Sequence, residues 1–329
     1  MRLEINRIEG LRNDLLLTLD RSEIDAARLS VANRDRLAAL PGIPRHREAT
    51  PEESRGLDDA KVPLDVHLQQ LRITDERGKA RRRAIAISNR NLGTNQGHVA
   101  WQRSERPRVF RILEDAASRD AYSCLTAWRD GRITIEELRF DPAGDRAYAG
   151  SGRELSDEIE WATFGQRVLR GRRVARIEDI AAQFYDIRHV LAFDPRREDG
   201  QRIRDGIYRD YPAGFAANVT RAWREEGVPR SRYVHNAVGV SDGAVVIVQR
   251  EGTVEEIGEA LAAAGADDGV ILDNGGSVAC WVWWANQYDG GIISPTVDYR
   301  PPGTSAIGFM LKGPMNIRMP GGSVSYSAW

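Results

Sequence analysis

Ala237-Val238-Gly239-Val240-Ser241-Asp242-Gly243-Ala244-Val245-Val246-Ile247-Val248 sets two apolar runs around an Asp-Gly dipeptide, the pattern of a β-hairpin. Its second run is apolar throughout, which predicts a central strand. Thr253 and Glu256 then make a capping box. Val254, Ile257 and Leu261 share one helical face, and Gly265 supplies the stop, so a helix is predicted over 253–264. Val270-Ile271-Leu272 reads as a buried strand. It runs into the turn Asp273-Asn274-Gly275-Gly276-Ser277, and Val278–Trp284 follows as another strand. This order of hairpin, helix, strand, Gly-rich turn and strand predicts an α+β (or α/β) fold, a mixed β-sheet core with packed helices. Ser305–Leu311 is expected to close the sheet.

Toward the N-terminus, Val66–Ile73, Ala84–Ile87, Ala121–Trp128 and Ile133–Phe140 suit strands. Asp130-Gly131 accepts the positive φ angles of a type I′ turn and should join the last two as a hairpin. Residues 195–209 are too charged for the core and are expected to form a surface loop. Residues 10–40 read as helical: Ser22 and Asp25 resemble a capping box, with Ile24, Leu29 and Leu37 recurring among alanines. The stretch 41–63 loses periodicity, as a linker would. The expected division is a helical arm and linker over 1–60 and a main domain over 61–329, from which the arm should be separable. No repeat of fixed period is visible.

Forty-seven basic against forty-eight acidic side chains give a net charge of −1, so nothing global draws the chain to nucleic acid or to a membrane surface. The basic run Arg77–Arg83 follows Asp75 and Glu76 and reads as a solvated loop. Cys124 and Cys280 lie far apart in apolar runs and are expected to be buried free thiols, which suits a reducing compartment. The N-terminal residues interleave charge with apolar side chains and offer no secretion signal. No apolar stretch approaches the roughly 20 residues of a membrane helix. A cytoplasmic protein is expected. No cluster of Cys and His has zinc spacing, and no cofactor is implied; a divalent cation on Asp273 has no support.

Asp273 ends a predicted buried strand and precedes two glycines that let backbone approach a ligand, with Ser277 adding a hydroxyl. The same residues also make a plain Asn-Gly turn between strands, and the local pattern alone favours that turn. The wider stretch, from Asn236 through the hairpin and helix to Ser277, resembles the C-terminal half of the phosphodiester glycosidase family, whose signature is a strand entering Leu-Asp-Gly-Gly-Gly-Ser. Gly165–Gly171 and Arg300-Pro301 with Ala306–Leu311 extend the resemblance over residues 150–312. Asn274 stands where the family has its first glycine, and Asn tolerates a left-handed backbone. The family's upstream Asn-Gly-Gly-aromatic motif has only Ile87–Asn91 or Gly93–Gly97 as counterparts.

This resemblance implies a hydrolase that splits a sugar 1-phosphodiester, or a related sugar-phosphate or nucleotide-sugar bond, at the anomeric carbon. Its partner would be a small-molecule sugar phosphate. A phosphomonoester, with a second pKa near 6, leaves readily, so one main carboxylate suffices. Asp273 would act as base or charge stabiliser, with His235 beside it. Arg300 and Arg232 would hold phosphate, and Asn274, Gly275, Gly276 and Ser277 would line the substrate. His235 also reads as a satisfied strand-end histidine, and Arg232 as surface charge. Asp289 and Asp298 read as loop residues. Alternation puts Trp281 and Trp283 on one strand face and Trp284 on the other, where core packing is the default. A biosynthetic enzyme using the same scaffold for another reaction, and a non-catalytic sugar-phosphate binder, are the alternatives that turnover would separate.

Overall fold

The computed structural model describes residues 2–8, 12–40, 50–74, 76–77, 83–89, 100–103, 107–110, 121–141, 143–183, 190–194, 196, 198–211, 213–283, 291–293 and 303–312. Strands β1 (Arg2–Ile8), β2 (Arg12–Asp20) and β3 (Ile24–Val31) open the chain, followed by helices α1 (Arg34–Ala39), α2 (Pro51–Asp58) and α3 (Leu64–Gln70). Next come β4 (Ala84–Asn89), β5 (Ala100–Gln102), β6 (Arg108–Phe110), β7 (Tyr122–Trp128), β8 (Ile133–Asp141), β9 (Arg146–Ala149) and β10 (Ile159–Phe164). Strands β11 (Gln166–Arg170) and β12 (Arg173–Val174) precede α4 (Ile177–Ala181), α5 (Glu198–Tyr208) and α6 (Phe215–Arg224). The C-terminal part holds β13 (Tyr233–Val240), β14 (Ala244–Gly252), α7 (Val254–Ala263), β15 (Asp268–Asn274), β16 (Cys280–Trp283), β17 (Gly291–Ile293) and β18 (Ser305–Leu311).

The described strands form three sheets. The first runs β1-β2-β14-β13-β15-β11-β12, the second β17-β16-β4-β18-β3, and the third β6-β5-β10-β7-β8-β9. One face of each turns inward onto a shared core: Leu17 and Ile247 from the first, Ile87 and Phe309 from the second, Leu125 and Trp161 from the third. Helices α4 to α7 cover the outer face of the first sheet, through residues such as Ile180, Val219 and Ile257. Helix α3 covers the second through Leu64 and Leu68. The class is α+β, and the expected mixed sheet is corrected, since every described ladder is antiparallel. Of the strands expected over Val278–Trp284 and Ser305–Leu311, Cys280–Trp283 and Ser305–Leu311 belong to a second sheet instead of extending the first.

The helix expected over 10–40 is corrected as well. Leu15, Leu17 and Leu19 alternate inward along β2, which pairs with β14 from Leu15↔Gln249 to Asp20↔Ala244. Strand β3 pairs with β18. Asp20 caps a short 3-10 turn between them through Ser22, so the apparent capping residues serve a strand-to-strand connection. Period-two burial won over a helical spacing that three apolar residues imitated. Val66–Ile73 is in the region of α3 and its C-terminal turn, not a strand, because Leu64 and Leu68 bury one helical face against the second sheet. Residues 198–208 form α5, whose Ile207 is buried, where a loop was expected. The Asp130-Gly131 connection has only Gly131 at positive φ (+89°). Trp128 accepts the Gly131 N–H and gives its own N–H to Arg132, so the link is a three-residue loop with a bulge, not a two-residue type I′ turn.

Two stability predictions arise from this packing. His67 on α3 is buried; its Nε2–H donates to the Gly303 carbonyl at 3.1 Å, and Nδ1 lies 2.8 Å from Ser30 Oγ. Burial pushes its imidazole down to about 4, against the pull of the Gly303 carbonyl and Asp65. The unfolded chain, with its ordinary value near 6.5, then binds the proton first. Stability present above pH 6.5 should fall as pH drops toward 4, by about 3 kcal/mol in total. Urea unfolding of wild type and His67→Gln at several pH values should show that slope flattened in the variant; an equal slope would exclude His67 as its origin. Gly258 brings α7 onto β11 so closely that an added Cβ would lie 2.6 Å from the Val168 carbonyl oxygen. Gly258→Ala should therefore cost about 1–3 kcal/mol, and an unchanged melting temperature would contradict that contact.

Among the described residues, no helix is long and apolar enough to cross a membrane. Cys124 and Cys280 are buried free thiols, as expected, and burial pushes both well up from the ordinary range.

Candidate functional site

Strand β15 reaches Asp273 with a change of face. Ala237 on β13 pairs with Ile271, but the next pair is Asn236 with Asp273, so Leu272 is the extra residue of a β-bulge. Without it, Asp273 would follow Ile271 to the helix-covered face. With it, Asp273 shares the inward face of Asn236, Val238 and Val240. Its side chain is buried at 1% exposure, and Oδ1 accepts the Asn274 N–H at 2.8 Å.

The inward row continues across the sheet. Gln249 on β14 pairs with Asn236 and donates from Nε2 to Asn236 Oδ1 at 3.1 Å. Asn236 donates in turn from Nδ2 to the Ser88 carbonyl at 2.6 Å, tying the first sheet to β4 of the second. The next residue of β4, Asn89, lies on the inward face with Ile85 and Ile87 and donates to Thr163 Oγ1 of the third sheet at 2.9 Å. Ser305 closes the group through the Asn89 carbonyl at 2.6 Å. The shared apolar core thus ends in a polar cap supplied by all three sheets. Asn89 and Gln249 are fully buried, and Asn89 Oδ1 and Gln249 Oε1 accept no hydrogen bond among the described residues. Buried amide oxygens left so are costly unless a ligand or water donates to them.

Beyond Asp273 the chain turns from the first sheet to the second. Asn274 is extended (φ −152°), and the left-handed residue is Gly275 (φ +75°). Asn274 is therefore not left-handed and carries no backbone strain. An added Cβ at Gly275 or Gly276 would meet nothing within 4 Å among the described residues. Of Ser277 only the backbone is described.

The other expected site residues are placed differently. His235 sits opposite Asn274 in the ladder but alternates onto the helix-covered face with Ala237, and its Nε2 is 3.1 Å from the Gly252 carbonyl. Its imidazole and the Asp273 carboxylate thus point to opposite faces of one sheet. Arg232 is half-exposed and bonds Glu256 Oε1 at 2.7 Å, and that guanidinium holds the Glu256 carboxyl below its usual range. Glu256 is in turn the capping-box acid of α7, so Arg232 is engaged at the start of that helix. Arg300, Asp289, Asp298 and Trp284 lie outside the described residues, as do Asn91 and Gly93–Gly97. Trp281 packs among Ala84, Ala86 and Met310 on the α3 side. Among the described residues no three of His, Cys, Asp and Glu group to hold a metal ion.

No protein-family model matches the chain, and no curated protein matches it. Among solved structures, the zebrafish N-acetylglucosamine-1-phosphodiester alpha-N-acetylglucosaminidase catalytic domain, auto-inhibited by its pro-peptide, aligns at TM-score 0.48 and 11% identity, over 94% of this chain and 82% of that one. A Burkholderia pseudomallei K96243 protein named as exported aligns at TM-score 0.45 and 11% identity, over 91% and 74%. A hypothetical protein from Synechocystis aligns at 0.39 and 12%, over 94% and 61%. These are distant likenesses of fold.

Asn236, Gln249 and Thr163 were not legible as site residues from local motifs. A signal existed nonetheless: Val245, Ile247 and Gln249 alternate inward, as do Val240, Val238 and Asn236, so each inward row ends on an amide. Ser88 meets the Asn236 row through its carbonyl, and Asn89 follows it on β4.

Proposed function

We propose that the chain is a hydrolase of a glycosyl phosphodiester or related sugar-phosphate bond, working at the polar cap around Asp273. One observation carries the reading: a bulge turns a buried carboxylate onto a row of buried amides where regular alternation would have sent it to the opposite face. Burying a carboxylate there is expensive, and a purely structural turn needs none. An acidic residue in this position suits general-base activation of water or stabilisation of an oxocarbenium-like centre, with the phosphomonoester as leaving group. The Asn89 and Gln249 amide oxygens would accept sugar hydroxyl groups. The phosphate would lie outward, toward Gly275 and Gly276, with Arg300 as the cation proposed for it.

The direct test is to incubate the full chain with a panel of sugar 1-phosphodiesters and nucleotide sugars and follow products by mass spectrometry. Release of free sugar and a phosphomonoester supports the reading, and substrates bound without being consumed would favour a binding protein. Gln249→Met keeps volume but removes the amide oxygen. On a substrate found in that panel it should raise KM about tenfold, the scale of one buried hydrogen bond. A KM unchanged by Gln249→Met would remove Gln249 from substrate contact.

A further inference from the structure

A polar cavity lies away from Asp273. It has a volume of about 420 Å³ and sits between the β11–β12 hairpin, strands β7 and β8, and helix α4. Arg170 and Arg173 lie directly opposite each other in the hairpin ladder, on either side of Gly171 and Arg172, both at positive φ. Like charges placed so repel. Their anionic partners are shared thinly: Glu137 Oε1 accepts from Ser123, Arg167 and Arg170 at once, so one carboxylate serves two guanidinium groups. Arg173 pairs with Asp179.

The cations differ in how firmly they are held. Arg167, 10% exposed, is fixed by Glu137 and Asp268, and its backbone is clamped on both sides by the Gln183 amide. Arg170 and Arg173 are each 58% exposed, and ion pairs at that exposure are weak enough to exchange for a ligand anion. Beside them Tyr122 and Phe164, both nearly buried, meet edge to face with ring centroids 5.7 Å apart and give the cavity an aromatic wall. Exposed guanidinium groups over a fixed one, next to an aromatic surface, suit a planar molecule that bears a phosphate or carboxylate.

We propose that this cavity is a binding site for a small organic anion carrying a planar ring, its anionic group held by Arg170 and Arg173 and its ring against Tyr122 and Phe164. The site is separate from the polar cap, since Arg167 and Leu169 pair with Val270 and Gly269, well down β15 from Asp273. It does not depend on the hydrolase reading.

Isothermal titration of the full chain with adenosine 5′-monophosphate, benzoate, adenosine and inorganic phosphate tests it. The monophosphate should bind and should outbind both adenosine and inorganic phosphate by about tenfold or more, as a charge-assisted contact plus a stacked ring require. The double variant Arg170→Ala/Arg173→Ala should lose about tenfold or more of that affinity, while Asp273→Asn should keep it. Both arginines face solvent, and circular dichroism will report whether the variant keeps its fold. Absence of binding by both the monophosphate and benzoate would overturn the proposal. So would affinity unchanged in the double variant, adenosine or phosphate binding as tightly as the monophosphate, or binding lost in Asp273→Asn.

Discussion

Asp273→Asn should lower turnover on the substrate identified from the phosphodiester panel by about 10²–10⁴-fold, the usual contribution of a general acid–base group. The substitution keeps shape and an acceptor oxygen for the Asn274 N–H while removing charge and basicity. It also replaces a buried ionisable group, 1% exposed, with a neutral one. The fold should be retained, because asparagine keeps the side-chain volume and the contact to the Asn274 N–H. Lost turnover with the fold retained is the signature of a functional carboxylate; a residue serving only as a cap would keep turnover, since asparagine still accepts the Asn274 N–H. Rate measurements and urea unfolding on the same preparations separate the two. Near-normal turnover in Asp273→Asn would place the chemistry elsewhere.

The C-terminal third was largely legible because its signals are local. The Asp242-Gly243 hairpin, the Thr253–Glu256 capping box and the Gly265 stop each specify their own geometry within a few residues, and all three appear as expected. Asp273 at a buried strand end was legible for the same reason. What could not be read was non-local. Its inward direction depends on a register shift between β13 and β15, and the polar row it joins through Asn236 draws Gln249, Asn89 and Thr163 from three strands far apart in sequence. The N-terminal third misled because Ile24, Leu29 and Leu37 mimic a helical face, while the true alternation of Leu15, Leu17 and Leu19 lies within a run of five apolar-rich residues that reads either way. His235 shows the limit of placing a residue by its strand alone: adjacent to Asn236 in sequence, it faces the opposite layer.

A chain beginning at Pro63 should fail to reach the native state, contrary to what a separable arm would allow. Removing residues 1–62 takes away β1, β2 and β3, of which β2 is an inner strand of the first sheet and β3 pairs with β18 at the end of the second. Strand β14 would become an exposed edge, apolar along Val245–Val248, and such edges aggregate. Leu15, Leu17, Leu19, Leu29 and Val31 all contribute to the shared core. Truncating a single buried leucine typically costs about 2–5 kcal/mol, so losing the whole set matches or exceeds the roughly 5–15 kcal/mol that holds a domain together. Anchors from the second sheet go too, since Trp161 donates to the Ala27 carbonyl and Gln102 to that of Leu29. The truncated chain should therefore elute as aggregate on size exclusion and show no cooperative thermal transition. The milder variant Leu17→Ala in the full chain should still fold, with stability reduced by about 2–5 kcal/mol. A monomeric 63–329 chain that melted cooperatively would show that the three N-terminal strands are an addition to a core complete without them.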